Sequence, residues 1–159
     1  MATVLVVYDS QTGNTEKMAF AVAEGVKQVE GVKAIVKKAA QTKLKDLLDA
    51  DGIILGSPAY FGQMSAKLKT LIDESIKIHG KLEGKVGAAF TSAGGTATGA
   101  ETTLFSILEA MFIHGMVVQG RSDDKHYGAA ALESPDDEAL ELCRELGKRT
   151  ASLVLKLKK

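Results

Sequence analysis

Short, wholly apolar runs alternate along this chain with longer stretches that place apolar residues every third or fourth position. Thr3–Tyr8, with Val4-Leu5-Val6-Val7 at its centre, reads as a strand buried on both faces. Thr15–Val29 carries Met18, Ala19, Val22, Ala23 and Val26 at helical spacing and stops at Gly31. Val32–Val36 is a second strand, and Lys43–Ala50 a short amphipathic helix through Leu44, Leu47 and Leu48. Gly52–Ser57 is a third strand. Ser65–Ile78 is helical, with Leu68, Leu71, Ile72 and Ser75 on one face and Gly80 closing it. Lys85–Thr91 is a fourth strand, Ala100–His114 an apolar helix ending at Gly115, and Met116-Val117-Val118 the start of a fifth strand. After an irregular stretch, Ser134 is the expected cap of a last helix whose first turn holds Asp136, Asp137 and Glu138.

Strands alternating with helices in this way predict an α/β fold of three layers, helices on both faces of a five-stranded parallel sheet. The order 2-1-3-4-5 fits, and it places ligands beyond the carboxyl ends of the strands. No repeat, low-complexity tract or linker interrupts residues 1–159, so one domain is expected.

Composition narrows the partners. Twenty basic and twenty acidic side chains cancel, which gives no reason to expect nucleic acid. No apolar stretch reaches the ~20 residues of a membrane span, and the N-terminus lacks a charged-then-apolar signal pattern. The single cysteine, Cys143, excludes an internal disulfide and any cysteine-rich metal site, so no metal is expected and a reducing cytoplasm is the expected address. Cys143 falls on an apolar helix face with Ala139, Leu142 and Leu146 and reads as core.

In a parallel sheet the loops after strands one, three and four open on one edge, and all three have unusual composition. The first, Ser10-Gln11-Thr12-Gly13-Asn14-Thr15, sets hydroxyls and a glycine at a strand-to-helix turn, where free helix N–H groups complete an anion site. It contains no Lys, and the G-x-x-x-x-G-K-[ST] pattern of a nucleotide-hydrolysing loop is absent. The second, Pro58-Ala59-Tyr60-Phe61-Gly62, spends two aromatics in a chain with 5% aromatic residues and no Trp. A flat ligand stacked on one ring accounts for them; the competing reading folds one or both back over the core. The third loop, Ser92-Ala93-Gly94-Gly95-Thr96-Ala97-Thr98-Gly99, has small residues and backbone donors for a ring edge, or else is a flexible surface turn. Phosphate site, aromatic platform and donor-rich edge together describe a phosphorylated planar heterocycle, and FMN fits.

On these residues the chain resembles the flavodoxin superfamily, and most closely its WrbA-type and NAD(P)H-dependent FMN-reductase branch. The matching stretches are Tyr8–Thr15, Gly56–Ser65 and Ile113–Met116. The resemblance implies a flavodoxin-like fold. It assigns Ser10, Thr12, Gly13, Asn14 and Thr15 to the FMN phosphate, with Gln11 in the same loop. Pro58, Ala59, Tyr60, Phe61 and Gly62 go to the ribityl chain and ring, and Thr91 to Thr96 to the ring's far edge. It also sets His114 near the flavin face. His126-Tyr127-Gly128 lies in an irregular segment, and Tyr127 is a candidate for the flavin edge; His79, before a glycine at a helix end, reads as a C-terminal helix residue.

The departures from that branch set the functional expectation. WrbA-type enzymes carry an extra segment between strands two and three and a longer one after strand five; here Lys37–Asp51 and Gly120–Tyr127 are brief. One cysteine cannot supply the motif of iron–sulfur relatives. Electron-carrier flavodoxins are usually strongly acidic, whereas this chain is neutral. The expected function is non-covalent FMN binding and electron transfer between redox partner proteins, with no catalytic residue of the chain's own. The alternative is an NAD(P)H-dependent quinone or FMN oxidoreductase, and a third is an interaction module that keeps the fold without flavin. A homodimer is left open as the assembly.

Overall fold

The computed structural model describes residues 1–158. Six strands form one parallel sheet: β1 (Ala2–Tyr8), β2 (Val32–Lys38), β3 (Gly52–Pro58), β4 (Val86–Ala93), β5 (Val117–Val118) and β6 (Ala129–Leu132). Their order is β2-β1-β3-β4-β5, with β6 also paired to β4. The expected order therefore stands, and the fifth position is shared by two pieces. Val117 and Val118 pair with Val86 and Gly87 at the start of β4, while Ala129–Leu132 pair with Phe90–Ala93 at its end. Residues 119–128 bulge out between them and are tied back where the Arg149 guanidinium donates to Gly120 O (2.6 Å).

Alternation along the buried strands divides the core into two layers. Val4, Val6 and Tyr8 of β1 face helices α1 (Asn14–Lys27) and α5 (Asp137–Leu157). Leu5 and Val7 face α2 (Leu44–Asp49), α3 (Ala66–Glu74) and α4 (Ala100–Ile113). On the first face α1 and α5 cross at two glycines. A Cβ on Gly25 would lie 1.8 Å from Arg144 O, and one on Gly147 2.0 Å from Val22 O, so only hydrogen fits at either place. Cys143 is buried in this layer, and burial pushes its thiol up to about 12, which keeps it an unreactive core group.

The helix starts differ in kind. Ser65 caps α3 by accepting the Leu68 N–H (3.4 Å), and Asp136 caps α5 by accepting the Ala139 N–H (2.8 Å). The expected cap of α5, Ser134, lies two residues upstream. Asp is as good a cap as Ser, and this choice keeps Asp137 and Glu138 in the first turn. By contrast α1 and α4 begin on Gly13 (φ 94°) and Gly99 (φ 101°), both left-handed, with no side-chain cap. Those two bare N-termini follow β1 and β4 and open on the carboxyl edge of the sheet.

Among the described residues, no helix is long and apolar enough to cross a membrane.

Candidate functional site

The first loop leaves β1 through Asp9, whose N–H donates to Gly56 O (3.1 Å), and turns at Gly13. The Gly13 N–H donates to Ser10 Oγ (3.1 Å), which leaves the Ser10 proton free to donate outward. Gln11 and Thr12 are exposed at the apex, and no heavy atom lies within 4 Å of where a Gly13 Cβ would be. The first N–H groups of α1, on Asn14, Thr15 and Glu16, have no partner within the helix and stand beside the hydroxyls of the loop. Neutral donors around a positive helix end suit a phosphate monoester, so this donor set fits the phosphate of FMN.

Thr15 itself is 1% exposed, and its Oγ1 stands 2.8 Å from Ser92 Oγ at the end of β4. One hydroxyl donates to the other, and the acceptor keeps a proton to give elsewhere. Next to it, the Thr91 hydroxyl donates to Ser57 O (2.8 Å) and the Ala59 N–H to Ser92 O (2.8 Å). Thr91, Ser92 and Ala93 are buried members of β4, which ends two residues beyond the expected Thr91, and they bind the three loops into one unit.

The second loop is a two-residue hairpin. Tyr60 and Gln63 exchange both backbone hydrogen bonds at 3.0 Å, and Phe61 (φ 51°) and Gly62 (φ 73°) between them are both left-handed. This is the signature of a type I′ turn, which ordinarily favours Asn-Gly. Here a phenylalanine holds the strained position with its side chain fully exposed, while Tyr60 is 37% exposed. Neither ring folds back over the core. Burial, with the Asp9 carboxylate nearby, raises the Tyr60 phenol, so it stays neutral and proton-bearing across the working pH range. Behind the hairpin, Phe61, Gly62, Lys69, Thr102 and Phe105 line an open groove of about 720 Å³ towards α4.

The third loop, from Gly94 to Gly99, is exposed except at Gly95 and Gly99 and is stiffened by Thr98, whose Oγ1 donates to Gly95 O (2.7 Å). Gly99, the last residue of that loop, seats the hairpin. A Cβ there would lie 2.7 Å from Gly62 Cα. Its signal was a glycine directly before an apolar helix.

One expected residue is not brought to this edge. His114 is the C-cap of α4, a helix of 14 residues, which at 1.5 Å per residue carries it ~20 Å from Gly99 to the opposite end of the sheet. There its Nε2 is 2.7 Å from Ser75 Oγ, and its ring lies 5.7 Å from that of His79. Burial first, then the His79 charge, lowers its pKa. Tyr127 comes nearer: two residues before β6, it lines a hollow with Ala100, Glu101 and Leu104 in the first turns of α4, outside the three loops. Its ring packs on Phe105 of α4 at 4.4 Å. Among the described residues, no group of three or more His, Cys, Asp or Glu stands together to hold a metal ion.

Residues 30–123 match the family model described as NADPH-dependent FMN reductase. A flavodoxin from Aquifex aeolicus is 40% identical over 162 residues, covering 97% of this chain and 88% of that protein. An NAD(P)H dehydrogenase (quinone) from Archaeoglobus fulgidus is 36% identical over 191 residues, covering 99% of this chain and all of that protein. Among solved structures, a flavodoxin, WrbA-like protein from Agrobacterium tumefaciens superposes with a TM-score of 0.83 at 27% identity, covering 98% of this chain and 99% of the other.

Proposed function

This chain belongs to the flavodoxin superfamily and binds FMN, and on that premise we propose that it is an electron-transfer flavoprotein that shuttles electrons between redox partner proteins in the cytoplasm. The carrying observation is the brevity of its connections. Only residues 39–51 join β2 to β3, and only residues 119–128 separate β5 from β6. The alignment to the quinone dehydrogenase runs over 191 positions against a chain of 159, so the balance falls opposite gaps in this chain. The alignment to the flavodoxin runs over 162. Little chain is left over to build a second substrate site beside the flavin.

Bound FMN supplies the redox chemistry itself, taking up and releasing electrons at its ring. We assign its phosphate to Ser10, Thr12, Gly13, Asn14 and Thr15, where hydroxyl and helix N–H donors converge. Pro58 to Gly62 flank the ring, with Tyr60 as the stacking phenol and Phe61-Gly62 offering turn backbone. Residues from Thr91 to Thr96 approach its far edge. In this reading the chain, taken as one FMN-binding domain, binds, orients and shields, and carries no catalytic side chain.

A second reading, an NAD(P)H-dependent quinone or FMN oxidoreductase, is favoured by the reductase family model and by a net charge of zero, which gives no electrostatic steering towards a basic partner protein. Anaerobic stopped-flow mixing of the FMN-loaded protein with NADH and NADPH separates the two. The carrier reading expects no fast bleaching of the flavin band with either nucleotide and ready reduction by dithionite. Rapid bleaching by one nucleotide overturns it in favour of the oxidoreductase.

A further inference from the structure

Glu16 is the third residue of α1, the place from which an acid ordinarily reaches back to the N-cap N–H and closes a capping box. Here it does not. The Gly13 N–H goes to Ser10 Oγ instead, and the Glu16 carboxylate turns sideways to the β1–β2 edge. There it accepts the Tyr8 hydroxyl and lies 3.9 Å from Lys38 Nζ. Tyr8 and Lys38 are register partners at the last position of their two strands, so the sheet itself sets both at the height of the first turn of α1. Tyr8 is 3% exposed, with its ring beside that of Phe20, so the hydroxyl has no freedom to swing away. Burial and the Glu16 contact push the Tyr8 phenol up to about 12, which keeps it a donor throughout the neutral range.

The consequence is electrostatic. A carboxylate at the third helical position that is free to rotate competes with any anion for the positive end of the helix, and repels a dianion bound there. We propose that Tyr8, assisted by Lys38, is a positioning residue that parks the Glu16 carboxylate against the sheet edge and so reserves the α1 N-terminus for the flavin phosphate. The inference rests on the reading that the phosphate binds at this terminus, and it adds a specificity determinant outside the loop. Tyr8 and Lys38 touch no ligand in this arrangement; they act through Glu16.

Fluorescence titration of the apoprotein with FMN and with riboflavin tests it. Tyr8→Phe removes one oxygen and keeps the buried ring. FMN affinity is expected to fall about tenfold, with riboflavin changing less than about twofold. Lys38→Met is expected to act in the same direction by about threefold. In a Glu16→Gln background Tyr8→Phe should lose its effect on FMN, because no charge remains to be parked. Equal losses for both flavins in Tyr8→Phe, or an FMN loss that persists with Glu16→Gln, overturn the positioning role while leaving the phosphate site intact. Equal wild-type affinity for FMN and riboflavin overturns the phosphate site, and the positioning role with it.

Discussion

Thr15 Oγ1 and Ser92 Oγ meet at 2.8 Å, joining the first turn of α1 to the end of β4 across 77 residues of sequence, in a site where neither side chain is more than 8% exposed. This contact separates two kinds of hydroxyl in the same loop. Thr15 carries a structural contact, because its partner is buried; Thr12 is exposed and spends nothing on the fold. Thr15→Val strands the Ser92 hydroxyl and is expected to lower apoprotein stability by about 1–3 kcal/mol. Thr12→Ala should leave stability within ~0.5 kcal/mol and still weaken FMN far more than riboflavin. Urea denaturation beside flavin titration reads both. Equal destabilisation by the two variants, or equal losses of the two flavins in Thr12→Ala, refutes the division.

Gly99 and Gly62 make the tightest backbone approach in the site, and Gly99 also needs its left-handed φ of 101°. Gly99→Ala meets both obstacles at once and is expected to cost about 1–3 kcal/mol and to displace the hairpin. Gly94→Ala, five residues earlier, meets nothing within 4 Å at ordinary φ and should be neutral within ~0.5 kcal/mol. Thermal unfolding of the two apoproteins supplies the comparison. A Gly99→Ala protein as stable as Gly94→Ala would show that the hairpin is free to move aside.

Most of the architecture was legible because burial writes itself into composition. The runs around Val4, Ile53 and Val86 are apolar on both faces because helices cover both. The 2-1-3-4-5 order fitted the alternation of elements without being dictated by it. What escaped was β6. Ala129-Ala130-Ala131-Leu132 has no β-branched residue, and it is a strand only because β4 offers it an edge, a tertiary fact with no local signal. The three loops were legible for a different reason, since exposed aromatics and hydroxyl-glycine clusters are unexplained by packing. One residue assigned by likeness lies elsewhere. His114 lies inside a matching stretch, but the length of α4 fixes which end of the sheet it occupies, and spacing along one helix outweighs resemblance. The Tyr8–Glu16 contact was invisible because it depends on how the turn at Gly13 sets α1 against the end of β1.

Phe61 holds a left-handed turn position that suits Asn, and it buries nothing in return. Phe61→Asn should therefore stabilise the apoprotein by about 1 kcal/mol, since Asn tolerates this φ and leaves no apolar ring in water. The same change is expected to weaken riboflavin and FMN alike, because it alters the ring side of the site and leaves the phosphate side untouched. Unfolding midpoints and paired flavin titrations check the two halves. Lower stability in Phe61→Asn would mean that the exposed ring makes a contact the fold needs.

His114 gives the protein a defined weakness to acid. Ser75 Oγ donates to Ile72 O (2.6 Å), so it accepts from the His114 Nε2–H, and Nδ1 is left buried without a partner. A second proton on Nδ1 has nowhere to bond, and His79 faces the ring from 5.7 Å, so the folded state resists protonation. A base whose pKa is lowered by folding binds more protons when unfolded, and stability then rises with pH over the interval between the two values. The contribution is complete above the ordinary 6.5 and drains away as pH falls from there towards the lowered folded value. Apoprotein unfolding midpoints measured from pH 7.5 to 5 should therefore decline from about 6.5 downward. His114→Gln keeps a donor for Ser75 and removes the titration, so its curve should be flatter over that interval. An unchanged slope in His114→Gln assigns the acid sensitivity to other groups.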